Sequence, residues 1–405
     1  ADGRSVKRAI IHLHSPISHD ACDGHTMEDA PSFADLRAGL CNDAVDAAFF
    51  TDHPSAAAEK TYEELFNLQE GDEVVDGLGS RMTCETGHQV LSMPGIEDEL
   101  MPVGLDRHVA DSPAENDSIY NAYTAESMAA SVAAGGFPLQ AHTEGQTIEV
   151  LLERQTWGQR GTEIFNLHAM VDPNKREDDL GLDGLAYLTQ AGPFISGDST
   201  AEPDLVFLAF YEEQTVSLER WDALNAIAPS LGTGGTDAHE NALPMLMSDG
   251  ERVDSYRRMM AWFSNYLVVS ETTPAGYQAA LEAHQTYLVF DSLGIPTGFD
   301  VAYGDVHYGT SAESPAVGAN LVVTCPTLAS TSPRDGQLPE ITATVFRNGA
   351  IWQSECGTFA VTESGVYRVR IEILPHHLTG FLADQADILV HAYPWVYSQA
   401  FRIGL

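Results

Sequence analysis

An apolar run near the start of the chain, Ala9-Ile10-Ile11-His12-Leu13-His14, ends in two histidines two residues apart. Alternate residues of a β-strand point to the same side, so a strand here would bring both imidazoles to one point. Imidazole nitrogens are common ligands of Zn, Mn and Fe. Because the chain has 15 histidines, a single His-x-His is weak evidence and needs support from other segments.

Four later segments carry the same types of side chain where an apolar run ends. They are Thr51-Asp52-His53, Pro94-Gly95-Ile96-Glu97, Gln140-Ala141-His142 and Thr236-Asp237-Ala238-His239. Any one of them taken alone is best explained as a solvated polar residue at a strand end. Together they predict a shared site, provided that the strand ends meet.

The arrangement of the first 290 residues indicates that they do meet. Apolar runs at 9–14, 47–53, 137–142, 162–167 and 230–236 predict strands. Helical patterns alternate with these runs at 32–41, 124–135, 145–155, 181–191, 217–228, 252–266 and 274–284. Such alternation predicts βα units in a parallel sheet or barrel, and in a barrel the carboxyl ends of the strands converge on one face.

From about residue 287 the pattern changes to short β-type segments separated by Gly, Pro, Ser and Asp. They lie at 319–324, 341–346, 358–361, 366–373 and 387–393, which is typical of a β-sandwich. We therefore predict two domains, residues 1–290 and residues 291–405. Cys325 and Cys356 both fall in the second and are candidates for a disulfide within it.

Composition excludes several classes of protein. With 20 Lys+Arg against 59 Asp+Glu the formal charge is −39, and a field this negative repels nucleic acid. Hydrophobic residues make up 44% of the chain, which is enough for a sizeable core and argues against disorder. No run of about 18 apolar residues is present, so no transmembrane segment is predicted.

The ordered set HxH, TDH, GIE, AHx and DAH resembles the polymerase and histidinol phosphatase (PHP) family over roughly residues 8–245. That resemblance implies a distorted (β/α)7 barrel, up to three metal ions and hydrolysis of phosphoesters. It also implies two or three divalent ions (Zn, Mn or Fe) as cofactors. The metal ligands that match the motifs are His12, His14, His53, Glu97, His142, Asp237 and His239.

Two further ligand positions stay open in the sequence. Asp20 and Asp23 both lie in the loop after the first histidine pair, and either one fits the family's acidic ligand there. His108 matches the histidine that follows the glutamate, with His88 as its rival. Thr143 stands where the family has proline after its AH motif.

Catalytic roles follow from the same resemblance. Glu97 is expected to bridge two metals, and Asp237 closes the ligand set. Arg107, beside His108, is the first candidate for holding the phosphate. The remaining candidates adjoin the motifs or the predicted strands: Arg154 and Lys175 for the phosphate, and His19, Asp52, Glu144 and His168 for supporting the ligands or contacting the substrate.

The function predicted from the sequence is hydrolysis of a small phosphorylated molecule by metal-activated hydroxide. One alternative is a metallohydrolase that cleaves another type of bond. The other is a non-catalytic surface protein that binds through its β-sandwich. The segments 287–291, 365–369 and 394–398 resemble a β-sandwich appended to exported PHP proteins, so a periplasmic or secreted location is expected.

Overall fold

The computed structural model describes residues 3–24, 31–196, 198–309, 314–329 and 337–405. A mixed sheet of 16 strands forms its centre, and a two-stranded and a four-stranded sheet lie in the C-terminal part. Within the described residues, no helix is both long enough and apolar enough to cross a membrane.

Eleven strands precede the predicted domain boundary. They are β1 (Ser5–Leu13), β2 (Ala47–Asp52), β3 (Glu73–Val75), β4 (Gly79–Thr83), β5 (Gln89–Ile96), β6 (Leu100–Val103), β7 (Phe137–Gln140), β8 (Gly161–Asn166), β9 (Leu231–Gly235), β10 (Ser264–Val269) and β11 (Thr286–Val289). The central part of the large sheet has the order β11-β10-β1-β2-β5-β6-β7-β8-β9.

Helices connect most of these strands. They are α1 (Pro31–Asn42), α2 (Pro54–Ala58), α3 (Pro113–Tyr120), α4 (Ala125–Ala133), α5 (Ile148–Trp157), α6 (Leu167–Val171), α7 (Pro173–Asp178), α8 (Ala186–Ile195), α9 (Thr215–Ile227), α10 (Tyr256–Trp262) and α11 (Pro274–Glu282). The side chains of Ser112, Thr124, Thr147 and Thr273 accept hydrogen bonds from backbone N–H groups in the first turns of α3, α4, α5 and α11.

Six strands of the central sheet run in one direction. β1 pairs in parallel with β2, β2 with β5, β7 with β8, and β8 with β9. The short strand β6 is antiparallel to both β5 and β7, so those two also run the same way. The carboxyl ends of all six strands therefore lie at one edge of the sheet, as the sequence predicted.

The sheet does not close into the expected barrel. β10 pairs antiparallel with β1 from Ser5 to Ala9 and occupies that part of the edge of β1. One isolated parallel bridge, Leu13 with Ala238, joins the end of β1 to the segment after β9. The predicted α/β class and parallel core are present, whereas a closed ring of strand pairs is not.

One predicted helix is shorter than expected because it is followed by a strand. The pattern at 252–266 predicted a single helix, but α10 ends at Trp262 and β10 begins at Ser264. The segment Ser264–Val269 is rich in β-branched and aromatic residues, and its six residues are buried in the sheet. Pairing with β1 on one side and β11 on the other decides its conformation.

The C-terminal part is rich in strands, as predicted, but five of its strands extend the central sheet. β21 pairs with β11, and the sheet continues from β21 through β20 and β17 to β18, with β22 paired to β20. The sandwich is therefore not confirmed, and the boundary at residue 290 stays a prediction. The strands here are β12 (Pro296–Thr297), β13 (Asp300–Tyr303), β14 (Val306–His307), β15 (Asn320–Thr324), β16 (Thr327–Leu328), β17 (Glu340–Arg347), β18 (Ala350–Gln353), β19 (Gly357–Ala360), β20 (Gly365–Leu374), β21 (Tyr393–Ser398) and β22 (Phe401–Ile403).

The last predicted strand, 387–393, is not a strand in the structure except at Tyr393, and residues 387–389 are helical. Two short helices, α12 (Thr379–Leu382) and α13 (Ala386–Leu389), come before β21, which begins only at Tyr393. Aromatic packing joins this C-terminal part to the rest of the chain. The ring of Tyr211 stacks on Phe290 at 4.3 Å, and its hydroxyl donates to the Pro394 carbonyl at 2.8 Å.

Two disulfides link segments that are distant in sequence. Cys41, in α1, is bonded to Cys84, and Cys325 is bonded to Cys356. The second pair is the one that the sequence suggested, whereas the first was not foreseen. Cys84 follows β4, so the first bond ties α1 to the hairpin beside the central sheet.

Removing the Cys41–Cys84 bond is expected to lower stability. The two residues are 43 apart in sequence. A disulfide that closes a loop of this length restricts the unfolded chain and so stabilises the folded state by about 4 kcal/mol. We expect the Cys41→Ala/Cys84→Ala variant to melt several degrees below the parent protein in a thermal scan. With excess reductant the two proteins should melt together, and a difference that persists there would contradict the role assigned to the bond.

Candidate metal centre

Polar side chains from all six parallel strands meet at the carboxyl edge of the sheet. They are His12 and His14 on and after β1, His53 after β2, Glu97 after β5, His142 after β7, Glu163 on β8, and Asp237 with His239 after β9. Asp20 joins them from the loop after β1. We refer to these nine residues as the edge cluster.

Hydrogen-bond partners fix the tautomers of two histidines. His12 Nδ1 lies 2.7 Å from Glu163 Oε1, and because a carboxylate only accepts, Nδ1 carries the proton. His14 Nδ1 lies 3.0 Å from Ser18 Oγ, whose own proton is donated to Asp52. In both neutral rings Nε2 is therefore a lone-pair atom, and these two atoms are 3.2 Å apart. Facing lone pairs repel each other unless a proton or a metal ion lies between them.

Asp237 lies against the same pair of nitrogens. Its Oδ1 is 3.3 Å from His12 Nε2 and 3.4 Å from His14 Nε2. Its Oδ2 lies 3.6 Å from His142 Nε2 and 3.2 Å from His168 Nδ1. The two oxygens of one carboxylate therefore contribute to neighbouring parts of the edge cluster.

Glu97 occupies a comparable position between histidines. Its Oε1 lies 3.2 Å from His142 Nε2 and 4.0 Å from His12 Nε2. Its Oε2 lies 3.0 Å from His53 Nδ1 and 3.9 Å from His14 Nε2. This position, with a different set of histidines around each oxygen, suits a carboxylate that bridges two ions.

A third group forms around His53, His239 and Asp20. The Nε2 atoms of the two histidines are 3.4 Å apart. Asp20 Oδ1 lies 3.4 Å from His53 Nε2, and Oδ2 lies 3.7 Å from His239 Nε2. Asp20 Oδ1 is buried and has no hydrogen-bond partner among the described residues. An acceptor placed in this way is suited to a cation.

Most of these separations are close to those of atoms that share an ion. Adjacent donor atoms at about 2.0–2.2 Å from a metal ion, in tetrahedral or octahedral arrangement, lie about 2.8–3.6 Å from each other. Three overlapping groups have donor atoms within 4.8 Å of one another: His12, His14 and Glu97; His12, His142 and Asp237; and His14, His53 and His239. The edge cluster therefore fits divalent metal ions, and its mixed N and O donors are those that Zn, Mn and Fe accept.

The backbone is constrained at two of the candidate ligand positions, His142 and Asp237, each of which has φ of 49°. Residues other than glycine rarely adopt this left-handed conformation, and it persists where surrounding contacts enforce it. The His142 amide donates to Glu163 Oε2 at 2.9 Å, and the Asp237 amide donates to the His12 carbonyl at 3.1 Å. These bonds turn both side chains toward the edge cluster.

The electrostatics of the edge cluster favour positive charge. Burial lowers the pKa of His12, but Asp237 and Glu163 outweigh burial and raise it to about 10. Burial raises the pKa of Glu97, but hydrogen bonding to His142 and other histidines holds it well below its usual range. Among the described residues, no Arg or Lys forms an ion pair with the carboxylates of the edge cluster. A bound cation would meet an uncompensated negative field there.

The structure separates the two candidate aspartates in the loop after β1. Asp20 faces His53 and His239, whereas Asp23 forms an ion pair with Arg252 at 2.6 Å. Only Asp20 lies within the edge cluster.

The structure does not bring His108 or His88 to the edge cluster. His108 Nδ1 lies 3.0 Å from the Tyr120 hydroxyl, and its Nε2 lies 2.9 Å from the Lys60 carbonyl. His88 Nε2 lies 2.9 Å from the Val45 carbonyl. Both side chains thus contact residues outside the edge cluster. His168 is the additional histidine that does reach Asp237.

The arginines expected near the phosphate have other partners. Arg107 donates to the Ala133 carbonyl. Arg154 donates to Gln140 Oε1 and Glu99 Oε2, each at 2.6 Å. Neither guanidinium contacts a residue of the edge cluster in the described structure.

Three of the four neighbouring candidates support the ligands directly or through another residue. Asp52 accepts from Ser18, which positions His14, while Glu144 lies 3.5 Å from His142 Nδ1. The third is His168, in contact with Asp237. The fourth, His19, is exposed, and its ring centroid is 5.5 Å from that of His53.

Glu163 was not recognised in the sequence. It lies in β8, in Gly161–Asn166, where all six residues are buried. A charged residue within a strand predicted to lie in the middle of the parallel sheet is the signal that could have identified it, since a buried carboxylate requires partners. Its partners are His12, the His142 amide and Asn166 Nδ2.

Several solved structures match this chain, among them two distant matches. One is a crystal structure of a two-domain protein containing a predicted PHP-like metal-dependent phosphoesterase from Bacteroides vulgatus, with 10% identity and a TM-score of 0.38. It covers 98% of this chain and 96% of that chain. The other is PsfC from Pseudomonas syringae, with 15% identity and a TM-score of 0.38, covering 71% of this chain and 93% of that chain.

The first match is of the class that the sequence motifs resemble. No protein-family profile matches the chain, and no curated protein matches it. Because both TM-scores are below 0.5, the function is inferred from the residues of the edge cluster.

Neutralising Glu163 is expected to weaken metal binding. The Glu163→Gln substitution removes the negative charge beside His12. Glutamine has a single acceptor oxygen, so it can accept from His12 or from the His142 amide but not from both. Loss of a carboxylate behind a ligating histidine typically costs about 10- to 100-fold in metal affinity. Competition with a chromophoric chelator measures this, and Glu85→Gln, at an exposed position, is the matched control. Equal affinities for the two variants would contradict the role of Glu163.

Proposed function

We propose that this protein is a metal-dependent phosphoesterase that hydrolyses a small phosphorylated molecule at a centre of two or three divalent ions. The observation that carries the proposal is the arrangement around His12 and His14. Their Nε2 lone pairs face each other at 3.2 Å, with Asp237 Oδ1 within 3.4 Å of both. A proton or a metal ion must lie between these atoms, and the three overlapping groups of donor atoms favour metal ions and a site for more than one of them.

When bound, such ions act as Lewis acids, lower the pKa of coordinated water and neutralise charge on phosphoryl oxygens. The chain's own contribution is to hold the donor atoms in place. Glu97 and Asp237 each direct their two oxygens to different histidines, so each is placed to join two ions. Glu163 and Ser18 keep the protons of His12 and His14 on Nδ1 and direct Nε2 to the centre.

His168 is the residue placed to move a proton at the centre. Its side chain is 43% exposed, and its Nδ1 lies 3.2 Å from Asp237 Oδ2. Burial lowers the pKa of His168, but the hydrogen bond and charge of Asp237 give a net rise. A protonated imidazole beside the centre can donate to the oxygen of a departing alcohol.

Phosphoesters are the substrate class that the motif resemblance implies. Among the described residues no arginine forms an ion pair with the edge cluster, which favours a second candidate, a metallohydrolase that cleaves an amide or lactone. Lys175 is the cation whose role would distinguish them. Its backbone N–H donates to Asp172 Oδ1 at 3.1 Å, and the other oxygen of Asp172 lies 3.6 Å from His168 Nε2. Its ammonium group would pair with a phosphoryl group but not with a neutral amide.

The two disulfides support the expected location outside the cytosol. Bonds of this kind persist in oxidising compartments such as the periplasm. We therefore propose that the protein works in such a compartment.

The proposal is tested first by metal content and activity together. We expect roughly two or three equivalents of Zn, Mn or Fe in protein purified without chelator, and less in His12→Ala and Asp237→Ala. The metal-loaded parent protein should release phosphate from a panel of small phosphoesters, and both variants should lose this activity. Metal retained without phosphate release, but with lactone or amide cleavage, would support the second candidate. Protein that takes up no added Mn or Zn would contradict both.

Lys175 is expected to bind the phosphate. Removing its charge in Lys175→Met should raise the KM for a phosphoester about tenfold, because a charge-assisted hydrogen bond to the substrate is lost. Metal content should stay at the parent level. The matched control is Lys60→Met, at a position outside the edge cluster. Steady-state kinetics measure the effect, and an unchanged KM would remove Lys175 from the substrate site.

A further inference from the structure

A cavity of about 200 Å³ opens beside the edge cluster. Three residues of the cluster, Asp20, Asp237 and His239, line it, and so does His168. A substrate held at the metal centre would therefore have direct access to this space. The residue proposed to protonate the leaving alcohol lies on its wall.

The rest of the lining is dominated by apolar side chains. They are Leu167, Val171, Leu243, Met259 and Trp262. The indole N–H of Trp262 is already donated to the Asp204 carbonyl at 2.9 Å, so its ring offers the cavity an apolar surface. These residues come from α6, α10 and the segment between β9 and α10, which also carries Asp237 and His239.

Charged groups in the lining are acidic, and no Arg or Lys of the described chain lines the cavity. Asp254 accepts from the Ala242 and Leu243 amides at 2.7 and 2.6 Å, so its hydrogen-bonding capacity is largely used. Glu240 is buried, and its nearest cation, Arg252, is 4.0 Å away. Arg252 lies outside the lining and is already paired with Asp254 at 2.8 Å. An anionic group on the alcohol would therefore find no Arg or Lys side chain among the described lining residues to pair with.

We propose that this cavity binds the alcohol portion of the substrate, and that this alcohol is uncharged, apolar and about the size of a benzyl group. The inference rests on the proposed function, because it assumes that the ester is held at the metal centre. The volume agrees with it, since an apolar cavity of about 150 Å³ holds one benzene ring. Esters of polar or anionic alcohols, such as sugar bisphosphates, are then poor substrates.

Three phosphate monoesters of primary alcohols with similar leaving-group acidity provide the test: benzyl, ethyl and 4-carboxybenzyl phosphate. With the metal-loaded full chain we expect kcat/KM for the benzyl ester to exceed that for the ethyl ester at least about tenfold, from the added apolar contact. The 4-carboxybenzyl ester should lose that advantage. Equal kcat/KM for benzyl and ethyl phosphate would overturn the proposal and leave the phosphoesterase function intact.

Filling the cavity provides the second measurement. Val171→Phe and Leu243→Phe each add a ring at a half-buried lining position, and both should reduce the benzyl-to-ethyl ratio of kcat/KM at least about fivefold. Two variants are used because one of them could fold poorly. Val132→Phe, the same substitution at an exposed position of α4, is the matched control and should keep the parent ratio. An unchanged ratio in both folded cavity variants would contradict the assignment.

Binding of the free alcohols tests the cavity assignment separately from the phosphoesterase function. If no phosphoester is hydrolysed, the phosphoesterase function fails, and the cavity is judged by saturation-transfer NMR. Benzyl alcohol should then give a saturable signal with the metal-loaded protein, weaker in Val171→Phe, whereas ethanol and 4-carboxybenzyl alcohol should not. Absence of benzyl alcohol binding would overturn the cavity assignment independently of the reaction.

Discussion

A single buried carboxylate, that of Glu163, joins the ends of four strands. It accepts from His12 on β1, from the His142 amide after β7 and from Asn166 at the end of β8. Gly235, at the end of β9, completes the set, because a Cβ built there would lie 1.9 Å from Glu163 Oε1. The glycine is thus required by the carboxylate, and the carboxylate sets both the tautomer of one ligand and the backbone of another.

This arrangement places negative charge where no Arg or Lys of the described residues pairs with it. Burying a carboxylate is costly unless it is paired, and the partners available here are histidines. Metal ions would supply the missing positive charge, so metal binding and folding of the strand ends should be coupled. The net charge of −39 adds to the same field and favours cation uptake over the approach of polyanions.

The sequence could predict those candidate ligands whose positions follow from the geometry of a β-strand and of a parallel sheet. His12 and His14 could be paired from the two-residue repeat of a strand, and the carboxyl ends of parallel strands must share an edge. The loop ligand could not be chosen, because the fold of the loop decides between Asp20 and Asp23. The error at 252–266 has the same origin, since pairing with β1, which no local pattern shows, turns its last residues into a strand.

The C-terminal strands have a role at the centre that their sequence does not reveal. β9 is the last strand in the sheet order. In a closed barrel its outer edge would pair with β1. Here the backbone groups of Gly232 and Gly234 on that edge have no partner strand in the described part of the chain. The Gln399 amide bonds both the N–H and the carbonyl of Gly232, at 2.7 Å each, and Asn265 does the same for Gly234 at 2.9 and 2.8 Å. Side-chain amides thus take the place of a neighbouring strand at positions three and five residues before Asp237. Because Gln399 follows β21, the C-terminal part helps to hold the last ligand strand in place, which accounts for its continuity with the central sheet.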